Sequence, residues 1–454
     1  MKSFAQPPPQ NTAQSTYLLG LRGFLILQAF LWIFLQTFVP ATVKSNIITF
    51  PANTPTYQDL IRKILSPIFW NESLIYSSFV FLSSRTLCIS FISSPSKQTI
   101  ASSIFRRSFR LIIPTIFSLS LVTLLSQTTS NNLTTLFITE TINPSIQTPY
   151  TLRSPIPLTL FNSLFTLFLS TSHTPLHSLP AVLAFPSGTL SILPILYSQS
   201  YTLYITTLII PYTRPLWRLK YSPLFLFTAY WVSSYSFISI SGLLLTDFLL
   251  LPNSPLLIIS AVGFPLPKRI TKKRIPSWIP YTFALLVGIG LQYFYITSDS
   301  AVETANAELK AHTDIYGSSG GLNTTPDLKE QTPRIADWLV LCGGFLLLET
   351  RTSVQYLFKN SVLVSLGRRS LSYFLTQSIV IYSAAIPLYL HLVVDKAVSG
   401  IVATIICLVV STLGTLKFRV YGRVCGAGIG LGDEEIGWQI AGSSRVLIDN
   451  SFRM

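Results

Sequence analysis

Charged residues are scarce in this sequence. Of its 454 residues, 11% are Asp, Glu, Lys or Arg and 49% are hydrophobic, and the mean hydropathy is +0.51. Because soluble domains carry about 25% charged residues, too few charges are present here to cover a surface that faces water. The composition therefore argues against a soluble enzyme, a disordered protein and a coiled coil.

Cysteine is also rare. The four cysteines, Cys88, Cys342, Cys407 and Cys425, are scattered and lie mostly inside apolar runs. They form no C-x-x-C pair and no Cys/His cluster. The sequence thus predicts neither a disulfide-stapled secreted module nor a metal site.

Acidic residues are outnumbered by basic ones, 17 to 32, which gives a formal net charge of +15. The basic residues fall in short clusters between apolar runs, a pattern typical of membrane topology and not of nucleic-acid binding. We therefore predict an all-α, polytopic integral membrane bundle that contacts membrane lipids and no nucleic acid.

Apolar stretches of membrane-spanning length follow one another along the chain. A transmembrane helix needs about 20 mostly apolar residues. The ten predicted spans are 17–39, 69–93, 109–127, 189–211, 222–242, 243–264, 278–297, 336–350, 371–392 and 398–416.

The remaining segments are polar or short. Residues 1–16 are predicted to form a disordered cytosolic tail, residues 298–334 a flexible lumenal loop, and residues 417–454 a second cytosolic tail. The transmembrane domain is predicted to cover 17–416. Within it, the short apolar stretch 157–171 is predicted to be re-entrant or interfacial.

The distribution of basic residues predicts the orientation. With both termini in the cytosol, the inner loops and the C-terminal tail hold 21 Lys and Arg residues and the outer loops hold 8. The sequons at Asn71, Asn132 and Asn323 all fall on the outer side, and we predict that Asn132 and Asn323 are glycosylated. An endomembrane, the endoplasmic reticulum or a related compartment, is favoured over the plasma membrane.

A few ionisable residues lie within the predicted spans. They are Arg22, Arg85, Asp247 and Glu349, with Asp337 at a span edge. A charge in hydrocarbon is costly, so each is a candidate for function or for an internal ion pair. Arg22 and Arg85 are our candidates for catalysis, although Arg22 has the alternative of snorkelling to the interface. We predict that Arg85 faces the interior and pairs with Asp247, Glu349 or hydroxyl groups.

A basic cluster opens the third predicted span. Arg106, Arg107 and Arg110 are spaced to share a helix face, and three guanidinium groups there suit the phosphates of a coenzyme A thioester. The alternative is that they fix the topology and contact lipid headgroups.

Two histidines are candidates for a base. His173 and His177 lie on the predicted outer side, in the sequence His-Thr-Pro-Leu-His. Pro175 interrupts the helix that would align them, and no third metal ligand is nearby.

Four short motifs together resemble the acyltransferase 3 family of multi-span membrane acyltransferases, in its fungal form. They are Tyr17-Leu-Leu-Gly-Leu-Arg-Gly23; Ser83-Ser-Arg-Thr-Leu87 with Arg106-Arg-Ser-Phe-Arg-Leu-Ile-Ile-Pro114; Thr189-Leu-Ser-Ile-Leu-Pro-Ile-Leu-Tyr-Ser-Gln-Ser200; and Leu366-Gly-Arg-Arg-Ser-Leu-Ser-Tyr-Phe-Leu375. They occur in the family's order and extend over residues 17 to 375.

The resemblance implies about ten spans and transfer of an acyl group from acyl-CoA, as co-substrate, to a hydroxyl of a sugar, lipid or secondary metabolite. It implies no bound cofactor. In this resemblance Arg22 matches the first-helix Arg, and Arg106, Arg107 and Arg110 match the basic cluster.

The sequence departs from the family pattern at three positions. The family's His falls on Ile33, its Glu on Leu196 and its Trp on Ser191. A positioned base raises the rate of such a reaction roughly 10²–10⁴-fold, so the loss of these residues leaves two hypotheses open. One is an O-acyltransferase, in which either positioning and oxyanion stabilisation sustain catalysis or another base such as His173 or His177 serves. The other is a catalytically degenerate relative that acts as a membrane transporter or metabolite-binding partner.

Overall fold

The computed structural model describes residues 12–43, 56–93, 97–128, 131–141, 157–169, 179–232, 234–250, 264–265, 274–297 and 333–417. The described chain is helical apart from one antiparallel pair of two-residue strands, β1 (Phe264–Pro265) and β2 (Arg274–Ile275).

The first half of the described chain contains ten α-helices. They are α1 (Thr12–Phe38), α2 (Thr56–Phe69), α3 (Glu72–Ser93), α4 (Lys97–Thr128), α5 (Asn131–Thr141), α6 (Pro157–Leu169), α7 (Pro180–Ala184), α8 (Ile192–Ile209), α9 (Pro215–Trp231) and α10 (Ser236–Leu250). Short 3₁₀ turns occupy Pro40–Thr42, Pro186–Ser191 and Ile210–Tyr212.

The second half begins after β2. Its helices are α11 (Trp278–Thr297), α12 (Ile335–Thr350), α13 (Thr352–Phe358), α14 (Ser361–Arg368), α15 (Ser370–Asp395) and α16 (Gly400–Lys417). Helix α15 is continuous but contains two π-helical turns, Ile381–Ala385 and His391–Asp395.

Within the described residues, four helices are long and apolar enough to cross a membrane. They are Thr16–Phe38, Ile100–Leu125, Trp278–Thr297 and Ser370–Asp395. Helices suit this environment because each satisfies its own backbone hydrogen bonds without water. Large apolar side chains on the outside of the bundle also fit a membrane environment. Phe105 and Phe283, for example, are 70% and 68% exposed. The chain is thus an all-helical membrane protein.

Most predicted spans coincide with helices, but two boundaries were wrong. The segments 222–242 and 243–264 are replaced by α9, which ends at Trp231, and α10, which begins at Ser236. Residues 251–263 lie outside the described residues. Hydropathy gave no signal for this interruption because serines and aromatic residues, which tolerate both helix and turn, surround it. The N-terminal tail is also shorter than expected, since α1 begins at Thr12.

The stretch predicted to be re-entrant or interfacial forms α6. Its 13 residues extend about 20 Å, less than the roughly 30 Å of a bilayer core. It packs against α4, α7 and α8.

Helix α2 was not predicted from the sequence. One face is apolar and outward, with Leu60 and Ile64 more than half exposed. On the other side Asp59 accepts a hydrogen bond from Arg62 at 2.6 Å and pairs with Lys63 at 2.9 Å, which lowers the pKa of the Asp59 carboxyl. This amphipathic pattern is typical of a helix that lies in the membrane interface.

Helix α3 lies at the centre of the bundle. It contacts α1, α4, α8, α10 and α12. Its buried residues include the small hydroxylated side chains of Ser73, Ser77, Ser78, Ser84 and Thr86, and Ser77 and Ser84 are fully buried. These small residues allow close approach of the neighbouring helices, as is common within membranes.

Candidate functional site

Close packing of α1 against α13 and α14 fixes the position of the first motif. A Cβ atom on Gly20 would lie 1.6 Å from the Phe358 carbonyl oxygen, and one on Gly23 would lie 2.0 Å from the Leu363 carbonyl oxygen. The reverse contact is equally tight, because a Cβ on Gly367 would lie 1.8 Å from the Leu19 oxygen. The first and fourth motifs therefore meet backbone to backbone, and Arg22 is held between the two tight glycines.

Arg22 reaches from α1 to α3. Its guanidinium donates a hydrogen bond to Thr86 Oγ1 at 2.8 Å. Thr86 is itself anchored, since its hydroxyl contacts the carbonyl oxygens of Leu82 and Ser83 at 3.0 Å each. This contact joins the first motif to the second.

Arg107 joins three elements. From α4 its Nε donates to Ser200 Oγ on α8 at 3.0 Å, and its NH2 donates to Ser83 Oγ on α3 at 2.7 Å. Ser200 ends the third motif, so Arg107 brings the second and third motifs into contact.

The positive charges of this region lie close together. Arg22 is repelled electrostatically by Arg107 and Arg110, and Arg110 by Arg106. Arg106 and Arg110 are exposed, whereas Arg107 is half-buried. We call Arg22, Arg107 and Arg110 the arginine cluster; it concentrates positive charge at the end of the bundle where α1 and α4 begin.

Arg85 belongs to a separate network. Its guanidinium pairs with the Glu349 carboxylate, which also accepts the hydroxyl of Tyr17, and it lies 5.8 Å from the centre of the Phe345 ring. The expectation that Arg85 faces the interior and pairs with an acid is confirmed, and the acid is Glu349. The network joins α1, α3 and α12.

Asp247 pairs with a different arginine. Arg218 NH1 lies 2.7 Å from Asp247 Oδ1 and 2.5 Å from Oδ2. Because Arg218 opens α9 and Asp247 lies near the end of α10, the pair closes the open end of this helical hairpin. The internal pairing expected for Asp247 is therefore observed. Its partner, Arg218, lies between the predicted spans 189–211 and 222–242, where the sequence predicts a loop.

A second polar region lies deeper along α1, α3 and α8. The Tyr76 and Ser191 hydroxyls are 2.7 Å apart, and Trp32 packs edge-on against the Tyr76 ring at 6.1 Å. Ser191 occupies the position of the family's Trp, and Ile33, at the position of its His, is fully buried. Ser200, which accepts a hydrogen bond from Arg107, lies nine residues after Ser191, or about 14 Å at the rise of an α-helix.

The segment before α8 has an unusual backbone. Ser187 and Gly188 both have positive φ, 61° and 64°. This conformation suits Gly but is strained for Ser. It turns the chain so that Thr189 and Ser191 are buried beside α8.

Asp337 is the most deeply buried of the acids singled out in the sequence. Only 1% exposed, it accepts hydrogen bonds from Ser73 Oγ at 2.5 Å, Ser77 Oγ at 3.3 Å and Gln292 Nε2 at 2.8 Å. In the described chain its side chain makes no salt bridge. It lies in the first turn of α12, where the helix dipole favours a negative charge.

Several predicted site residues are not brought together by the described structure. His173, His177 and Asn323 lie outside the described residues, as do the loop 298–332 and the tail 418–454. Asn132 lies in the first turn of α5. Among the described residues, no group of three or more His, Cys, Asp or Glu is placed to hold a metal ion.

No family model, curated protein or solved structure matches this chain.

Sequence reasoning missed the hydroxyl partners of Arg22 and Arg107. These partners, Thr86, Ser83 and Ser200, lie inside the quoted motifs, so the motif positions were the available signal. Ser73, Ser77 and Gln292 had no such signal, because isolated polar residues in apolar helices are compatible with many orientations.

Proposed function

We propose that this chain is a membrane O-acyltransferase that crosses an endomembrane ten times, with both termini in the cytosol. It would transfer an acyl group from acyl-CoA to a hydroxyl of a small acceptor, a sugar, lipid or secondary metabolite. Asn132 and Asn323 would then face the lumen.

The meeting of the four motifs carries the proposal. Arg22 contacts Thr86, Arg107 contacts Ser83 and Ser200, and Gly23 and Gly367 lie in one tight helix contact. Motifs separated by up to about 350 residues in the chain thus form one site. A site of this kind is the expected result if the resemblance reflects a shared function.

The arginine cluster supplies the donor-binding chemistry. Coenzyme A carries several phosphate charges, and guanidinium groups bind phosphate through paired, charge-assisted hydrogen bonds. Arg22 and Arg107 are mutually repelling, so a bound polyanion relieves their repulsion. Arg106 is exposed beside them and widens the positive field.

The reaction needs the donor and the acceptor to meet inside the bundle. The acceptor oxygen forms a bond to the thioester carbonyl carbon, the C–S bond breaks, and the thiol and an ester result. With the phosphates at the arginine cluster, the long arm of the donor points along α1, α3 and α8 towards Tyr76 and Ser191. Positioning of this kind accelerates a reaction without any covalent step on the protein.

The test is acyl transfer in membranes that carry the protein. Labelled acetyl-CoA is the donor and extracted metabolites are the acceptors. We expect Arg107→Ala to raise the KM for the donor about tenfold or more, the effect of losing hydrogen bonds from a charged group. Arg107→Lys should recover only part of this loss, since Lys lacks the planar fork.

The matched control is Lys359→Ala, which removes an exposed cation after α13. It should leave the KM unchanged. A KM for Arg107→Ala equal to that of the wild type would refute the donor site, and absence of transfer by the wild type would refute the enzyme.

A transporter or metabolite-binding partner is the second candidate. The observation that favours it is the apolar pair Ile33 and Leu196, where the resembled family has His and Glu. Its signature would be a metabolite that appears outside the cell only when the protein is present, with no acyl transfer from any donor.

A further inference from the structure

Three tyrosines lie in a row along α8. Tyr197, Tyr201 and Tyr204 are spaced by four and three residues, so they share one face of the helix. The ring centres of Tyr197 and Tyr201 are 5.0 Å apart, and those of Tyr201 and Tyr204 are 6.5 Å apart. The hydroxyls of Tyr197 and Tyr201 lie 2.8 Å from each other. We call these three residues the tyrosine row.

Helix α4 runs beside the tyrosine row. The Tyr204 hydroxyl is 3.0 Å from Ser103 Oγ and 3.1 Å from the Ser103 carbonyl oxygen. One turn further along α4, Arg107 Nε donates to Ser200 Oγ at 3.0 Å. Between these two contacts the residue number rises by four on α4 and falls by four on α8, so the two helices are antiparallel. The tyrosine row therefore lies along the part of α4 that carries basic residues of the arginine cluster.

The basic residues of α4 are neighbours of the accessible rings. The contact register, continued by three residues, brings Arg110 opposite Tyr197. Arg106 and Arg110 are exposed, and the Tyr201 side chain is 39% exposed. From α6, the Phe168 ring supports the Tyr197 ring at a centre-to-centre distance of 5.2 Å. Accessible aromatic surface and accessible guanidinium groups thus occur together at this end of the bundle.

A nucleotide is a ligand that uses both kinds of group. Its phosphates bind guanidinium groups, and its base stacks on aromatic side chains because both are flat π systems. The donor of the proposed reaction contains such a nucleotide, since coenzyme A ends in a phosphorylated adenosine diphosphate. The alternative is that the tyrosines only lie at the level of the lipid headgroups, where tyrosine is common in membrane helices.

We propose that the tyrosine row is a base-binding subsite, on which the adenine of a coenzyme A thioester stacks against Tyr201 while its phosphates bind Arg107 and Arg110. The subsite rests on the proposed function and names the part of the donor that is recognised. It makes the site selective for a nucleotide thioester over a thioester that lacks the nucleotide.

The test compares two donors in the acyl-transfer assay, acetyl-CoA and S-acetylpantetheine, which lacks the nucleotide. We expect Tyr201→Leu to raise the KM for acetyl-CoA about tenfold, the effect of losing one base-stacking contact. Its KM and kcat for S-acetylpantetheine should equal those of the wild type, which also shows that the variant is folded. Tyr201→Phe keeps the ring and should leave the KM for acetyl-CoA within about twofold of the wild type.

Tyr212→Leu is the matched control, because Tyr212 is 86% exposed and lies outside the tyrosine row. It should leave the KM for both donors unchanged. A KM for acetyl-CoA that Tyr201→Leu does not alter would overturn the subsite while the proposed function stands. An equal increase for both donors would overturn it too, since the loss would then not concern the nucleotide.

A second measurement keeps the subsite testable if the wild type transfers no acyl group. The probe is 3′-phospho-ADP, the nucleotide part of coenzyme A, titrated calorimetrically into the protein in phosphatidylcholine nanodiscs, whose lipid has no net charge. The wild type should bind the probe, and Tyr201→Leu should weaken binding about tenfold whereas Tyr201→Phe should not. Absence of binding by the wild type, or equal affinity of the wild type and Tyr201→Leu, would overturn the subsite independently of acyl transfer.

Discussion

At the residue scale, the buried charges are paired with specific partners and are not spread over the bundle. Arg85 pairs with Glu349, and Arg218 with Asp247. The arginine cluster differs, because its members repel one another, and Arg22 and Arg107 donate hydrogen bonds to the hydroxyls of Thr86, Ser83 and Ser200. The two kinds of arginine therefore predict different behaviour on substitution.

Removing one partner of the Arg85–Glu349 pair should destabilise the protein more than replacing both partners by apolar residues. Removing one partner leaves an uncompensated buried charge, so Arg85→Met or Glu349→Met should lower the free energy of unfolding by about 3–5 kcal/mol. The double variant should lose much less, because no charge is left behind. Thermal unfolding in detergent measures both.

The control for this pair is Arg368→Met, an exposed arginine. It should change the melting temperature little. Additive losses in the Arg85 and Glu349 variants would show that the two side chains do not act as a pair.

The sequence limited the partner of Arg85 to Asp247, Glu349 or hydroxyl groups, because few acids lie in apolar segments. The choice of Glu349 among them depends on tertiary packing. The sequence did not predict that Arg218, which lies between two predicted spans, would be part of α9 and pair with Asp247. An arginine in a loop can adopt many solvent-exposed conformations, so its partner is not evident from the sequence. Nor did the sequence predict the hydrogen-bond partners of Asp337, because two of them, Ser73 and Gln292, are 219 residues apart in the chain. Contacts of this kind depend on tertiary packing alone.

At the element scale, glycines determine how closely α1 approaches α14 and how closely α11 approaches α12. A Cβ on Gly288 would lie 2.8 Å from the Val340 nitrogen, and one on Gly343 would lie 2.7 Å from the Leu285 nitrogen. In each case the nearest atom belongs to the backbone, which cannot turn aside as a side chain can. Small residues at such positions are the usual means of close helix packing in membranes.

Substitution of Gly23 should separate α1 from α14. Gly23→Ala places a methyl group 2.0 Å from the Leu363 oxygen, so the helices must move apart. We expect a loss of about 1–3 kcal/mol or more in the free energy of unfolding. Because Arg22 is adjacent, the KM for the donor should rise as well.

Gly344→Ala is the matched control, since no atom lies within 4 Å of its Cβ position. Alanine favours helix over glycine by about 0.8–1.0 kcal/mol, so this variant should be neutral or slightly more stable. Equal stability of the Gly23→Ala variant and the wild type would show that the tight contact is absent from the protein in the membrane.

Helix lengths were predictable where hydropathy decides them, and turns were not. The predicted span 278–297 coincides with α11, whereas the turn between α9 and α10 and the whole of α2 were missed. Helix α2 was missed because its apolar face is interrupted every few residues by polar ones such as Asp59 and Arg62. A window average treats such a helix as a loop.

At the scale of the whole molecule, the contacts sort the helix ends into two groups. Tyr17, Arg85 and Glu349 meet at one end of the bundle, and Arg351 lies 5.9 Å from the Trp278 ring there. Ser73, Gln292 and Asp337 meet at the other end. The arginine cluster belongs to the first end and the buried carboxylate of Asp337 to the second.

This arrangement makes the orientation in the membrane testable. Helix α11 begins at the first end, where Trp278 contacts Arg351, and α12 begins at the second, where Asp337 meets Gln292. Basic residues favour the cytosolic side, and the segment 265–277 before α11 holds five of them, from Lys268 to Arg274. A glycosylation acceptor inserted into 265–277 should therefore remain unmodified, whereas one inserted into 298–334 should gain a glycan, measured as a mass shift that a glycosidase removes.

The native sequon at Asn323 gives the matched control, since Asn323→Gln should remove a glycan of the same size. Modification at 265–277 with none at 298–334 would invert the bundle, move the arginine cluster to the lumenal side and so deprive it of a cytosolic acyl-CoA donor.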